Sequence, residues 1–568
     1  MMQKYFKKST GKWCGYSWSV TLFLGLFSSV VTAFPLKAAE RIDFVFSTAR
    51  VSVPVSSLET FAQTGEIDQN LRTYFNLARA TPEEKAEFQS ALLRRVDVNS
   101  IQLSRVLDTA MGEDILSRLG RYITLQGGEH EQSALKTALI KSASEPQGLT
   151  LLNFLDHLPA NLQINLDQIL RLRNTVQQVI DATRILNQEV ARLSTEALTL
   201  NPIDFSSLPD LRQPGIYGVK EPQRLFLNDT QRNRKFYVDL YQPQIWRSGK
   251  TPVVIISHGL ASRPEDFGKR ARHLASYGYV VAVPQHPGSD FRHASDLLAG
   301  RRQEVFELQE FIDRPLDISY VLDELERLNA KDFEGRLQLD KVGVHGHSFG
   351  GYTALAVGGA TIDLENLQQE CQREFGFLNL SLLLQCRALA LPNLPTQFRD
   401  TRVQAVIGAN PVNRSIFGQK GLANVEIPVL LGSGLYDPAT PAIFEQAGSF
   451  IWLKSLEKYL VIIEGQAHVD FSQMDAGITD TINSFEQLIL PTPELIDSYA
   501  NSGIVAFFEV YIANNPDFKV YLSSAYFHYL SGEEPFRSYL IDGSAAESLE
   551  QKLLPLKQQW LQHRSTQE

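Results

Sequence analysis

Ser348 stands in Gly346-His347-Ser348-Phe349-Gly350-Gly351, a G-x-S-x-G pattern. A serine hydroxyl is a useful nucleophile only when a base takes its proton as it attacks. That base is a histidine whose tautomer is held by a carboxylate. Downstream of Ser348 the chain supplies both, Asp437 first and His468 second, and that order belongs to a serine set on a strand-to-helix turn. The chemistry open to such a set is attack on a carboxylic acyl carbon, with a covalent acyl intermediate that water releases.

The surroundings of each residue sharpen the reading. Lys341-Val342-Gly343-Val344-His345 before the motif is of strand type, and Tyr352-Thr353-Ala354-Leu355-Ala356-Val357 after it is small and helix-compatible. Strand, G-x-S-x-G, helix is the context that makes the pattern specific. The turn must be so sharp that positions two before and two after the serine cannot carry a Cβ, which Gly346 and Gly350 satisfy. A glycine-rich turn with an incidental serine would show the same letters but would not need partners downstream. His468 follows an apolar run, Tyr459–Ile463, through Glu464-Gly465-Gln466-Ala467. Asp437 follows Val429 to Tyr436 and precedes Pro438; its rivals Asp470 and Asp475 read as solvated loop acids. An oxyanion needs two backbone N–H donors. Phe349, directly after the nucleophile, supplies one. Leu260, in His258-Gly259-Leu260-Ala261, is the expected second, with Ala261 as the alternative. His258 and His347 read as loop-fixing residues, and His286 as a residue that could shape a pocket.

These residues need a sheet to carry them. Phe236–Tyr241, Pro252–Ser257, Tyr279–Val283, Val403–Ile407, Val429–Gly432 and Tyr459–Ile463 are strand-like, with helical stretches between several of them. Such alternation predicts an α/β class with a mostly parallel sheet covered on both faces. The catalytic region is expected over residues 215–490. An insertion, 362–402, carries Leu380 and Leu382-Leu383-Leu384 and reads as a lid over the strand ends. Residues 491–568 read as a helical extension, and 201–214, with three prolines, as a linker. Residues 40–200 read as an all-α domain, with Thr81-Pro82 starting one helix and Leu162–Leu198 a long amphipathic one.

Composition narrows the class. At 568 residues, 43% apolar and 21% charged, two or three globular domains are expected. A net charge of −10 without a basic stripe argues against a nucleic-acid partner. Residues 1–39 read as a signal peptide. Four early lysines precede an apolar stretch from about Trp18 to Phe34, with cleavage after Ala33 or near Ala38-Ala39. Export to the periplasm or medium is therefore expected, a retained membrane anchor being the alternative. Peripheral membrane contact and oligomeric state are left open. The exported chain keeps Cys371 and Cys386, a candidate disulfide. No metal-ligand spacing stands out, and no metal or cofactor is expected.

The motifs also carry a resemblance. Ser257-His258-Gly259-Leu260 with Gly346 to Gly351 resembles the platelet-activating-factor acetylhydrolase branch of the α/β-hydrolases. Asp239-Leu240-Tyr241-Gln242-Pro243 is similar to dienelactone-hydrolase relatives. The likeness covers about residues 215–475. It implies the α/β-hydrolase fold, Ser348 as nucleophile, and Leu260 and Phe349 as oxyanion donors. The acid departs from the acetylhydrolases, whose aspartate follows the strand equivalent to Val403–Ile407, where Asn410 stands here. The stretch through Asp437 and His468 looks more like cutinase-type and dienelactone-type hydrolases. The N-terminal region resembles a domain of unknown function found ahead of such hydrolases in cyanobacteria. The expected substrate is a small-molecule or lipid-like carboxylic ester with an apolar acyl group. A serine peptidase of the oligopeptidase type and a non-catalytic binding member of the fold are the competing readings.

Overall fold

The computed structural model describes residues 39–46, 49–126, 131–200, 203–373, 376–468 and 490–562. The signal-peptide reading, and the rivals Asp470 and Asp475, lie outside the described residues. Two compact units divide the chain. The first takes the described residues up to Asp181 together with Asp296–Val305; the second takes Ala182–Ser295 and the described residues from Phe306 onward.

The first unit is not all-α. It contains β1 (Arg41–Phe46), β2 (Ala49–Pro54), β3 (Ile123–Leu125) and β4 (Leu162–Asn165), ordered β2-β1-β4-β3. β1 pairs antiparallel with β2 and parallel with β4. The strands are too short for their period of two to stand out from the helical periodicity around them. β4 takes the first four residues of the amphipathic run, and the helix Leu166–Glu196 takes the rest. Thr81 does cap the helix Pro82–Leu93. Its hydroxyl accepts from the Glu84 N–H, and its own N–H donates to the Glu84 carboxylate. Phe61, Phe75 and Phe88 meet edge-on and stacked in the core. Asp296–Val305, expected within the catalytic region, is bound into this unit. Arg105 donates to the Leu298 carbonyl, and the N–H of Ala110, which opens the helix Ala110–Leu119, donates to Glu304.

The second unit is built on nine strands: β5 (Gln223–Asp229), β6 (Arg234–Tyr241), β7 (Thr251–Ser257), β8 (Val280–Pro284), β9 (Leu337–His347), β10 (Val403–Ala409), β11 (Val429–Gly434), β12 (Lys458–Ile463) and β13 (Ser538–Asp542). Their order is β13-β12-β11-β10-β9-β7-β8-β6-β5. The six strands β7 to β12 run parallel, and β5, β6 and β13 close the edges antiparallel. β7, β8 and β12 are buried along their whole length, as strands covered on both faces must be.

Two expectations change here. The C-terminal region is not a helical appendage, because β13 joins the sheet and the helix Pro493–Tyr511 sinks Phe507 and Phe508 into the core. Gly343 of β9 makes room for this; a Cβ there would stand 2.5 Å from the Phe508 ring. Nor is 203–214 a free linker. Phe205 and Leu211 are buried in the same core, and the carbonyls of Pro209 and Leu211 accept from Tyr521 and His273. Prolines stop helices but do not prevent packing, so a proline-rich composition does not by itself mark a free linker. Among the described residues no helix is long and apolar enough to cross a membrane.

Phe508→Ala should lower stability by about 3–5 kcal/mol, the cost of a large core cavity. Urea unfolding followed by tryptophan fluorescence checks this. A change below about 0.5 kcal/mol, the range of an exposed position, would mean that the C-terminal helix is peripheral.

Candidate active site

The chain turns from β9 into the helix Phe349–Gly358 through Ser348, whose φ of 56° and ψ of −118° are far from either element. The glycines are sterically required. A Cβ on Gly346 would lie 1.9 Å from the Gly350 carbonyl oxygen, and one on Gly350 would lie 2.0 Å from the Ser257 oxygen. The turn is held from both sides, since Ser348 N–H donates to Ala409 and Val412 N–H donates to the Ser348 carbonyl.

His468 and Asp437 come to the same edge of the sheet. Ser348 Oγ lies 2.8 Å from His468 Nε2, and His468 Nδ1 lies 2.7 Å from Asp437 Oδ2. An ionised carboxylate only accepts, so Nδ1 carries the proton and Nε2 accepts from the serine hydroxyl. Asp437 is buried and ends β11's loop, where it accepts from Ala439 N–H, Thr440 N–H and Thr440 Oγ1 at 2.8, 2.9 and 2.6 Å. Burial alone would raise its carboxyl, but His468 and Thr440 outweigh burial and hold it below the usual range. Asn410, buried after β10, accepts from Gly434 N–H and so braces the acid's loop. Thr440 is legible three residues after the aspartate, whereas the bracing by Asn410 depends on a contact that only the fold makes.

The loop expected to carry the second oxyanion donor lies close by. The loop after β7 lies against the nucleophile, since a Cβ on Gly259 would be 3.1 Å from Ser348 Cβ. Ala261 N–H donates to the Ser289 carbonyl at 2.8 Å, which removes it as a donor for substrate and leaves Leu260 beside Phe349. His347 Nε2 donates to the His468 carbonyl at 2.9 Å, pinning the backbone of the base. Burial and the neighbouring His468 push its imidazole down to about 3, so it stays neutral. His286 does not face a pocket; it is wholly buried between Asp317, at 2.9 Å, and Ser257, at 3.0 Å.

A family model described as an α/β hydrolase of unknown function (DUF1400) matches residues 38–165, and one described as chlorophyllase matches residues 237–369. The chain is a member of the α/β-hydrolase superfamily. The chlorophyllase match spans this hydrolase's His258–Ala261 loop and its G-x-S-x-G turn; the other match falls in the first unit. No curated protein matches the chain.

The insertion of the hydrolase is anchored. Cys371 and Cys386 form a disulfide, and Leu382, Leu383 and Leu384 face the interior. Buried Glu445 accepts from Asn379, Ser381 and Gln385 of the insertion and from the N–H groups of Asn413 and Arg414. The leucines read as a lid surface are therefore packing residues. A cleft of about 630 Å³ opens elsewhere on the unit, between β5, β6 and the segments carrying Arg263 and Phe291, and Ser348 does not line it. Among the described residues no cluster of three or more histidine, cysteine or acidic side chains is placed to hold a metal.

His258, His286, His345 and His347 are all driven down by burial. Their folded-state values lie below the unfolded value of about 6.5. The unfolded chain then binds more protons in the window between the two, so stability falls as pH drops below about 6.5. Each histidine contributes at most about 2 kcal/mol of loss by pH 5. Unfolding free energies from urea titration that fall by less than about 2 kcal/mol between pH 7.5 and pH 5 would show that these imidazoles are not held neutral.

Proposed function

We propose that this hydrolase cleaves carboxylic esters through Ser348, His468 and Asp437. The observation that carries the reading is the unbroken hydrogen-bond chain from Ser348 Oγ through the imidazole to the buried carboxylate. Ser348 Oγ attacks the ester carbonyl while His468 Nε2 takes its proton. Asp437 stays ionised, keeps the imidazole in the tautomer that leaves Nε2 free, and stabilises its charged form. The carbonyl oxygen gains negative charge as the tetrahedral intermediate forms, and the N–H groups of Leu260 and Phe349 receive it. Collapse passes the proton from His468 to the leaving alkoxide and leaves an acyl-serine. A water activated by the same histidine then releases the acid. Both family matches support hydrolysis. The apolar acyl preference loses its first motive, because the insertion's leucines are buried. It stands as a substrate class to be read from an ester series of graded chain length. The oligopeptidase reading gains no support from the first unit, a small mixed sheet with helices rather than a propeller.

Ser348→Ala should lower p-nitrophenyl ester turnover by about 10⁴-fold or more, and Asp437→Asn by about 10⁴-fold, with circular dichroism unchanged. Hydrolysis that survives in Ser348→Ala would remove the triad, and preference for peptide amides over esters would move the substrate class.

A further inference from the structure

Behind the oxyanion loop sits a buried arginine that the reaction does not touch. Arg314, on the helix Glu310–Asp332, is wholly buried. Its Nη1 donates to the His258 carbonyl at 2.6 Å, its Nη2 to the Gly259 carbonyl at 3.3 Å, and its Nε to Ser289 Oγ at 2.9 Å. The guanidinium lies over the Phe349 ring, 4.4 Å from its centroid. One side chain thus touches both segments that carry the oxyanion donors.

The geometry of a peptide group gives this contact a consequence. The Gly259 carbonyl and the Leu260 N–H belong to one planar unit, and in a trans peptide they point in opposite directions. A Gly259 oxygen drawn toward Arg314 turns the Leu260 N–H away from it. Gly259 itself lies against Ser348, whose Cβ is 3.1 Å from where a Gly259 Cβ would stand. The same oxygen accepts from His258 Nδ1 at 2.8 Å. His286 N–H donates to His258 Nε2 at 3.1 Å, which fixes the His258 proton on Nδ1. Ser289 completes the frame: its hydroxyl donates to Glu310, and its carbonyl takes the Ala261 N–H.

The arginine is held in its turn. Glu310 lies 3.4 Å from Arg314 Nε, and Arg234 joins Glu310 at 2.7 Å to Asp317 at 2.8 Å. Burial pushes the guanidinium down to about 10, so it remains charged at working pH. Replacing such a group by a neutral side chain of similar volume often costs little stability when its partner goes too. Strong anchoring of two carbonyls is therefore not explained by stability alone.

We propose that Arg314 is the positioning residue of the oxyanion site, holding the His258 and Gly259 carbonyls so that the Leu260 N–H faces the oxygen of the tetrahedral intermediate. This rests on the ester-hydrolase reading above. A donor that is set only for the intermediate affects turnover and not ground-state binding. Two variants test it. Arg314→Lys keeps a charge beside Glu310 but cannot reach two carbonyls in a fork. The double variant Glu310→Gln/Arg314→Gln removes both charges, so no bare carboxylate is buried. Three quantities are measured on each: kcat and KM for a p-nitrophenyl ester, affinity for an alkyl boronic acid that forms a tetrahedral anion on Ser348, and Tm. The expected result in the folded variants is a kcat lower by about 10- to 100-fold, somewhat less than outright loss of a donor. KM should stay within about twofold, and boronate affinity should fall in step with kcat. Folded variants with kcat and boronate affinity within about twofold of the parent overturn the proposal, whatever happens to Tm. So does a loss that appears wholly in KM. Ser348→Ala is run alongside. If it is inactive while the Arg314 variants are not, positioning fails and the triad stands; if it is active, both fail.

Discussion

The close approach of three backbone segments at Ser348 is the constraint on which this hydrolase is arranged. The end of β7 brings the Ser257 oxygen to where a side chain of Gly350 would be, and Pro411, after β10, stands 2.5 Å from the place of a Gly351 Cβ. The turn can exist only because β7, β9 and β10 lie side by side and parallel. Positive φ at a serine costs energy, and the neighbours supply it through two backbone hydrogen bonds to Ala409 and Val412. Nucleophile placement and sheet order are therefore one fact. A strand exchanged or shifted by one residue would remove the carbonyls that define the turn.

Around this rigid point the polar groups are laid out in two depths. In the proposed reaction, those that meet the acyl group are few: a hydroxyl, an imidazole and two N–H groups. Those that aim them are many and mostly buried. Thr440 and Asn410 brace the acid, His347 pins the base, and a cluster of Arg234, Glu310, Arg314 and Asp317 stands behind the oxyanion loop. Buried ion pairs add little to folding free energy, because desolvation offsets their attraction. Their contribution lies in direction, since a charged group with several fixed partners has few orientations available.

The sequence disclosed the reacting groups more readily than their supports. Gly346, Ser348 and Gly350 are legible because only glycine fits the flanking positions. Asp437 and His468 are legible because each follows an apolar strand-like run. Arg314 is not legible in the sequence: it lies near the start of its helix, and its partners at 258, 259 and 289 are backbone or hydroxyl groups brought near only by the fold. Short strands were lost for another reason. β3 has three residues and β4 four, too few for an alternating pattern to compete with the helices on either side. The leucines at 382–384 show the opposite hazard. An apolar run announces burial or an exposed apolar face alike, and here a disulfide and the Glu445 hydrogen bonds turn it inward.

The first unit is discontinuous along the chain, because Asp296–Val305 belongs to it although it is separated from Asp181 by part of the second unit. A ribosome releases those ten residues on the order of ten seconds after Asp181, at typical elongation rates. Until then the helix beginning at Ala110 lacks the carboxylate of Glu304, and Arg105 lacks its carbonyl. The nascent N-terminal portion must wait, incomplete, for a stretch synthesised within the hydrolase sequence, so neither portion can be cut away at a single point in the gene.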